Sequence, residues 1–265
     1  MNRLELRNEV RRRIAESSGV ASYSSDTDIN AYLNEGNRDM CLKGRVYERT
    51  LSTSILNGFA AYNLPLDFLF MRSIANPLGV SLDPIEPGGV GRVFIVPGKP
   101  TYYFASHYPL TLTTRVNDTI YSEGTLLIPS TPNGYMYEVM VTGMVGSVEP
   151  TWPTVNGQPL TDNNATLICR ELSVTGYNFT LIDTPTTAGG GVGTYVIIYF
   201  ALGSGLYDDT ISPDFPEDKH HILVTFATFR HFVKMKDLVR AQAHYADYAA
   251  ALGLQMPGQQ QGGQQ

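Results

Sequence analysis

The segment PDFPEDKHHILVTFATFRHFVKMKDLVRAQAHYADYAAALG, residues Pro213–Gly253, decides the fold class, because it is the longest run with helical periodicity in a chain whose middle reads as strand. Asp214 is placed to cap a helix, and Pro216 suits a first helical turn, where its fixed φ and missing N–H cost nothing. Ile222, Phe226, Phe229 and Val233 then form one apolar stripe. Lys236-Asp237 interrupts it, and Leu238, Ala241, Tyr245, Tyr248 and Leu252 resume it up to Gly253, a natural left-handed stop. The spacing predicts two helices joined by a short turn, each with a face that needs a partner.

Those partners are expected at the other end of the chain. Leu6, Val10 and Ile14 stripe a first helix that ends near Ser18-Gly19, with Arg3, Arg7, Arg11, Arg12, Arg13, Glu5 and Glu9 on its other faces. Ser25-Asp26-Thr27-Asp28 has the spacing of a capping box, so a second helix should begin at Asp26 and bury Ile29, Leu33, Gly36 and Met40.

From Thr50 the period changes to two. Strands on either side of Asn57-Gly58 read as a hairpin, because that dipeptide supplies the positive φ a tight reversing turn needs. Pro65-Leu66-Asp67 ends it, a strand or short helical turn covers Phe68–Ile74, and Asn76–Gly91 is loop by its Pro and Gly content. Arg92–Val96, Thr101–Ser106 and Leu110–Arg115 read as short strands, the rhythm resumes at Tyr177–Asp183, and Thr194–Ala201 is the strongest strand. Residues 116–172 have their own turn-and-strand rhythm and read as a small inserted β module. The expected architecture is therefore α+β: a helical bundle drawn from both chain termini, a central antiparallel β region, and an inserted all-β module. Residues 1–115 and 173–253 form the body, 116–172 the insert, and 254–265 a tail rich in Gln and Gly with nothing to bury.

Charge is unevenly spread. Residues 1–49 carry nine basic and eight acidic residues, 50–210 five and twelve, and 211–265 five and five, so the excess of acid lies in the β-rich middle. That argues against a phosphate-gripping surface there. The two cysteines, Cys41 and Cys169, lie in different kinds of segment, and Met1–Val10 is polar and helical, so both thiols are expected reduced in a cytoplasmic product. The most apolar run, Val192–Leu202, falls well short of the roughly 20 residues needed to span a bilayer.

No catalytic, cofactor or metal constellation emerges. His220, His221, His231 and His244 sit on the C-terminal helices without metal-ligand spacing. Gly189-Gly-Gly-Val-Gly193 precedes a strand, whereas a phosphate cradle follows one and opens a helix, so it reads as a loop hinge. Asp208-Asp209 reads as turn chemistry. Two features stay open. Arg11-Arg12-Arg13 contacts nucleic acid or forms a solvated or subunit-contacting helix face. Tyr121, Tyr135, Tyr137 and Trp152 form a platform for a sugar ring or simply fill the small module.

Four features in order carry a resemblance: the arginine-bearing first helix, then Tyr23-Ser-Ser-Asp-Thr-Asp-Ile-Asn-Ala-Tyr-Leu-Asn-Glu35, then Gly58-Phe-Ala-Ala-Tyr-Asn-Leu-Pro-Leu-Asp-Phe-Leu69, then Phe215-Pro-Glu-Asp-Lys-His-His-Ile-Leu-Val224 with its trailing helix. Over residues 1–115 and about 173–253 the chain resembles the head-to-tail connector adaptors of tailed bacteriophages, the gp6-like head completion proteins. Gly124-Thr-Leu-Leu-Ile-Pro, Asn133-Gly-Tyr-Met-Tyr-Glu-Val, Thr142-Gly143, Gly146, Glu149-Pro-Thr-Trp-Pro-Thr and Gly157–Asp162 resemble a carbohydrate-binding-like module that recurs in phage virion proteins, although the second Trp of that pattern has no counterpart in Ala165–Cys169.

The first resemblance implies a structural virion protein without enzymatic activity or cofactor. Such a protein forms a ring, here expected to be twelvefold, under the portal protein, and offers a docking surface to the tail or next connector protein. Genome DNA passes through its channel without sequence-specific binding, and no membrane is involved. It implies assembly in the bacterial host cytoplasm and a place at the head–tail interface, with the tail residues Leu254, Met256, Gln259 and Gln260 as candidate portal contacts. The alternative from another class is a glycan-binding virion decoration or receptor-contacting protein that uses Tyr121, Tyr135, Tyr137 and Trp152.

Overall fold

The computed structural model describes residues 1–18, 24–85 and 98–254; the expected strand Arg92–Val96 and the residues Met256, Gln259 and Gln260 lie outside them. The fold is α+β. Four α-helices occur among the described residues, α1 (Arg3–Ser18), α2 (Asp26–Gly44), α3 (His220–Lys234) and α4 (Leu238–Ala251). The strands are β1 (Glu48–Ile55), β2 (Ala61–Asn63), β3 (Phe68–Ala75), β4 (Ser81–Pro84), β5 (Tyr102–Pro109), β6 (Leu112–Thr114), β7 (Ile120–Tyr121), β8 (Leu126–Ile128), β9 (Tyr135–Val141), β10 (Gly143–Met144), β11 (Pro159–Asp162), β12 (Ala165–Glu171), β13 (Thr175–Ile182) and β14 (Gly193–Ala201). The chain divides into two compact units, Met1–Tyr47 with Leu202–Gln265, and Glu48–Ala201.

In the helical unit, the stripes of α1 and α2 are buried as their periodicity predicts: Leu6, Val10 and Ile14, then Ile29, Leu33 and Met40. The capping box is formed, with Ser25 Oγ accepting from the Asp28 amide and the Asp28 carboxylate accepting from the Ser25 amide. α2 lies so close to α3 that a Cβ on Gly36 would stand 2.7 Å from both Leu223 Cδ1 and Phe226 Cδ1. A larger residue there would overpack the contact.

α3 departs from its predicted stripe. It packs against α1, α2 and α4, so Leu223, Val224 and Ala227 are buried along with Ile222 and Phe226, while Phe229 is half-buried and Val233 exposed. A helix with neighbours on several sides buries more than one stripe. Its start also differs. Asp214 does not cap α3; its carboxylate accepts from the Ser204 amide at 2.6 Å, and a 3-10 turn, Glu217–Lys219, intervenes before His220.

Asp237 caps α4 by accepting from the Arg240 amide. At the far end Gly253 takes φ +67, and the Gly253 and Leu254 amides donate to the Ala250 and Ala249 carbonyls, a Schellman closure. Long-range polar ties complete the unit. Asp209, read from sequence as turn chemistry, accepts from Arg3 and Arg7, whereas Asp208 does make the turn, accepting from the Thr210 amide.

In the β unit, seven strands run in the order β1-β14-β3-β4-β5-β13-β2. Laid flat, seven strands at the usual spacing would set the two edges about 29 Å apart. Yet β1 and β2 are joined by Leu56–Ala60 alone, which reaches about 21 Å at full extension. The sheet must therefore curl until its edges approach. The Asn57-Gly58 turn exists, with Gly58 at φ +83, but it is not a hairpin: β1 pairs with β14 and β2 with β13. The turn is held instead from the side, the Gly58 amide donating to the Pro185 carbonyl at 3.0 Å and the Thr187 amide to Asn57 Oδ1 at 3.3 Å.

Pairing is antiparallel except for β4 with β5 and β6 with β8. β14 alternates as a half-buried strand should, with Tyr195, Ile197, Tyr199 and Ala201 buried. The glycines of 189–193, read as a hinge, answer a packing demand: a Cβ on Gly189 would stand 2.5 Å from the Gly98 carbonyl.

A second sheet, β11-β12-β9-β8-β6, and the two-stranded ribbon β10-β7 lie within residues 112–171. Their core joins Tyr121, Leu127, Tyr137, Val139, Val145, Ala165, Leu167 and Cys169.

Candidate assembly site

The ribbon is the most unusual surface of the β unit. Ile120 stands opposite Met144 and Tyr121 opposite Gly143. The ladder continues past the strand ends, since the Val145 amide donates to the Thr119 carbonyl and the Asp118 amide to the Gly146 carbonyl. Alternation turns Tyr121 and Val145 inward. Outward it leaves Val116, Ile120, Met144 and Val148, with Ile120 70% and Val148 77% exposed. Gly143 is needed where the turn at Asn164 crosses the ribbon, because a Cβ there would lie 2.3 Å from the Asn164 carbonyl oxygen.

Beneath the ribbon lies a buried ion pair. The Arg115 and Asp162 side chains are 1% and 4% exposed. Arg115 Nε donates to Asp162 Oδ2 at 2.7 Å, Nη1 to Asn117 Oδ1 at 2.6 Å, and Nη2 to the Gly146 and Val148 carbonyls at 2.7 and 3.1 Å. Asp162 Oδ1 in turn accepts from the Gly146 amide at 2.8 Å. One guanidinium thus holds both strands of the ribbon, and its charge is met by one carboxylate and three further acceptors. Such saturation is what makes a buried charge tolerable.

Sequence reading missed this pair. A signal existed: Arg115 and Arg170 are the sole basic residues between 100 and 172, a stretch with six carboxylates. Both are paired, Arg170 with Glu138 at 2.8 Å.

Of the two readings of the aromatics, a stacking platform or filling of the small module, the packing agrees with filling. Tyr137 is fully buried, its hydroxyl donating to the Pro153 carbonyl and accepting from Asn133 Nδ2, both at 2.7 Å, and burial pushes its pKa up to about 12. Tyr121 is buried and its hydroxyl accepts from the Val116 amide at 2.8 Å. Tyr135 and Trp152 are half-buried against the same core, with the Trp152 ring 4.3 Å from that of Tyr137. The indole N–H donates to Glu149 Oε1 at 2.9 Å, and the same carboxylate accepts from the Ser130 amide and hydroxyl. Chiefly through the Ser130 hydroxyl, these bonds hold Glu149 below the ordinary glutamate pKa.

Of the candidate portal contacts, Leu254 closes α4 through its amide and is half-buried. The arginine cluster is engaged, Arg11 with Asp26, Arg12 with Glu9, and Arg13 with Glu9 and Thr225.

Both thiols are buried and their pKa values are raised to about 11 by burial, far from a reactive thiolate. His231 Nδ1 lies 2.7 Å from Ser24 Oγ, and the His244 ring stacks on Phe232 at 5.4 Å. Among the described residues no group of three or more His, Cys, Asp or Glu is placed to hold a metal ion, and no helix is long and apolar enough to cross a membrane. An open cleft of about 550 Å³, lined by Leu64, Pro65, Tyr108, Glu123, Leu126 and Glu138, offers two carboxylates, but Glu138 is committed to Arg170.

The model of the SU10 adaptor protein family matches residues 1–138, just over half of the chain. The chain belongs to that family, and is a bacteriophage structural adaptor protein and a component of the virion. The match runs from α1 into β9. No curated protein matches the chain.

Proposed function

We propose that this adaptor forms a ring beneath the portal, extends the DNA channel and presents the docking surface for the tail. The observation that carries the reading is membership of a phage adaptor family. In this reading the four helices act as one bundle, residues 1–115 and 173–253 form the ring body, and residues 116–172 project outward as a module. Residues 254–265, with Leu254, Met256, Gln259 and Gln260, reach the portal. The ring is twelvefold, templated by the portal so that many copies of a weak contact add. The acid excess of residues 50–210 suits a channel wall past which DNA slides without sequence-specific binding. Assembly takes place in the host cytoplasm and ends at the head–tail interface.

The test is native mass of the purified chain alone and mixed with its portal ring. A monomer in dilute solution, and a ring matching the portal's symmetry when mixed at that same dilution, is the expected result; a folded chain that does not associate with the portal overturns the reading. Truncation after Gly253 removes only one of the amides that close α4. It should leave circular dichroism unchanged and abolish portal binding. Unchanged binding would remove the tail from the portal contact.

A further inference from the structure

Two surfaces, one in each unit, are apolar at the centre and of opposite charge at the rim. The first is the ribbon, where Val116, Ile120, Met144 and Val148 are exposed among the carboxylates of Asp118, Glu123 and Glu149. Arg115, the basic residue closest to it in sequence, is turned beneath it and neutralised by Asp162. The exposed charged residues that flank the ribbon in sequence are therefore acidic. The second is the elbow between α3 and α4, where Val233, Met235, Leu238 and Val239 are exposed, Val239 to 82%. Lys234, Lys236 and Arg240 flank them; Lys234 pairs with Asp28 at 2.8 Å and Arg240 with Asp237 at 3.2 Å, so the elbow keeps a net positive charge through Lys236. Lys236 holds the left-handed φ of +59 at the turn, a position a glycine would occupy without strain.

We propose that the elbow of one copy docks on the ribbon of a second copy. The inference rests on the ring reading and deepens it by naming the surfaces that meet. Charge decides the pairing: ribbon against ribbon sets three carboxylates against three, and elbow against elbow brings together two rims that are each net positive, whereas ribbon against elbow sets a negative rim against a positive one around two apolar centres. Apolar anchors inside a charged rim are the usual anatomy of a binding surface. The contact is heterologous, so each copy keeps one open ribbon and one open elbow, and repetition closes a ring if the rotation allows. The buried Arg115–Asp162 pair then has a purpose: it keeps a surface-facing ribbon rigid without adding a cation to its rim.

The experiment uses the full chain and two variants at exposed positions, Ile120→Lys in the ribbon and Val239→Asp in the elbow. Asp at the second residue of a helix favours the helix dipole, and circular dichroism of both variants should match the wild type. In sedimentation velocity the wild type should associate with rising concentration, and each variant alone should associate at least about tenfold more weakly. An equimolar mixture should recover association, because the ribbon of one variant and the elbow of the other are intact. Failure of the mixture to recover, undiminished association of either variant alone, or a wild type that stays monomeric at every concentration would each overturn the inference. The ring reading is judged separately by mixing with the portal. If the wild type and both variants ring equally on it, the reading stands and the ribbon–elbow contact falls.

Discussion

Removing Arg115 is the perturbation that weighs most heavily on the β unit. Arg115→Met keeps much of the aliphatic length but deletes a guanidinium that is 1% exposed and bonded to four groups. Asp162 then keeps only the Gly146 amide, and the Gly146 and Val148 carbonyls lose their charged donor. An uncompensated buried charge of this kind costs about 3–5 kcal/mol. At about 2–4 °C per kcal/mol for a unit of this size, the melting point should fall by roughly 10 °C.

The assay is built in. Trp152 is the sole tryptophan and packs on the same core as the ribbon, so its emission during urea or thermal unfolding reports this region. Asp162→Leu alone should be as damaging, because it strands the guanidinium. Combining it with Arg115→Met replaces the pair by apolar groups and should recover most of the loss, since such replacements are often near neutral. A loss below about 1 kcal/mol for Arg115→Met would refute the reasoning, because it would mean that water reaches the guanidinium's partners and that the pair does not brace the ribbon.

Two predictions concern pH. Glu149 is held below the ordinary glutamate value by Ser130 and Trp152, so its contribution is complete above about pH 4.5 and is lost as pH falls through the folded value. Trp152 emission should therefore titrate with an apparent pKa below 4.5, and Glu149→Gln should abolish that transition; an unchanged titration in the variant would refute the assignment. His231 is held below the ordinary imidazole value, mainly by burial and then by Lys234. The unfolded chain then takes up the proton first, so helical stability should fall as pH drops from about 6.5 through the folded value. His231→Gln should flatten the dependence measured by far-ultraviolet dichroism in urea, although His220 and His244, also lowered by burial, leave a residue of it. A slope unchanged in the variant would show that His231 does not carry the effect.

Much of the architecture was legible because local rules were strong. The capping box at Ser25, the stripe of Leu6, Val10 and Ile14, the left-handed Gly253 and the alternation of β14 all rest on spacing within a few residues, and each stands in the structure. Local rules failed where a distant group competed for the same atoms. Asp214 had the position of a cap, but the Ser204 amide took its carboxylate. Asn57-Gly58 had the turn, but β1 pairs along all eight of its residues with β14, whereas the three residues of β2 could have offered it at most three partners. α3 had a stripe, but helices on several sides made the stripe incomplete.

The candidate site was less legible still. Tyr121, Tyr135, Tyr137 and Trp152 could be read from sequence either as a sugar platform or as filling of the module, and the structure shows them filling or flanking a core. The outward positions of the same module are plain aliphatics, Val116, Ile120, Met144 and Val148. Sequence by itself determined the α+β class, the helices at both ends and the kinship with phage adaptors, because periodicity, caps and motif order are properties of neighbouring residues. Tertiary structure alone decided that Arg115 meets Asp162 across 47 residues, that Arg7 meets Asp209 across 202, and that the seven-stranded sheet curls. Burial and ion pairing depend on which segments meet in space, and a free-energy balance over the whole chain sets those meetings.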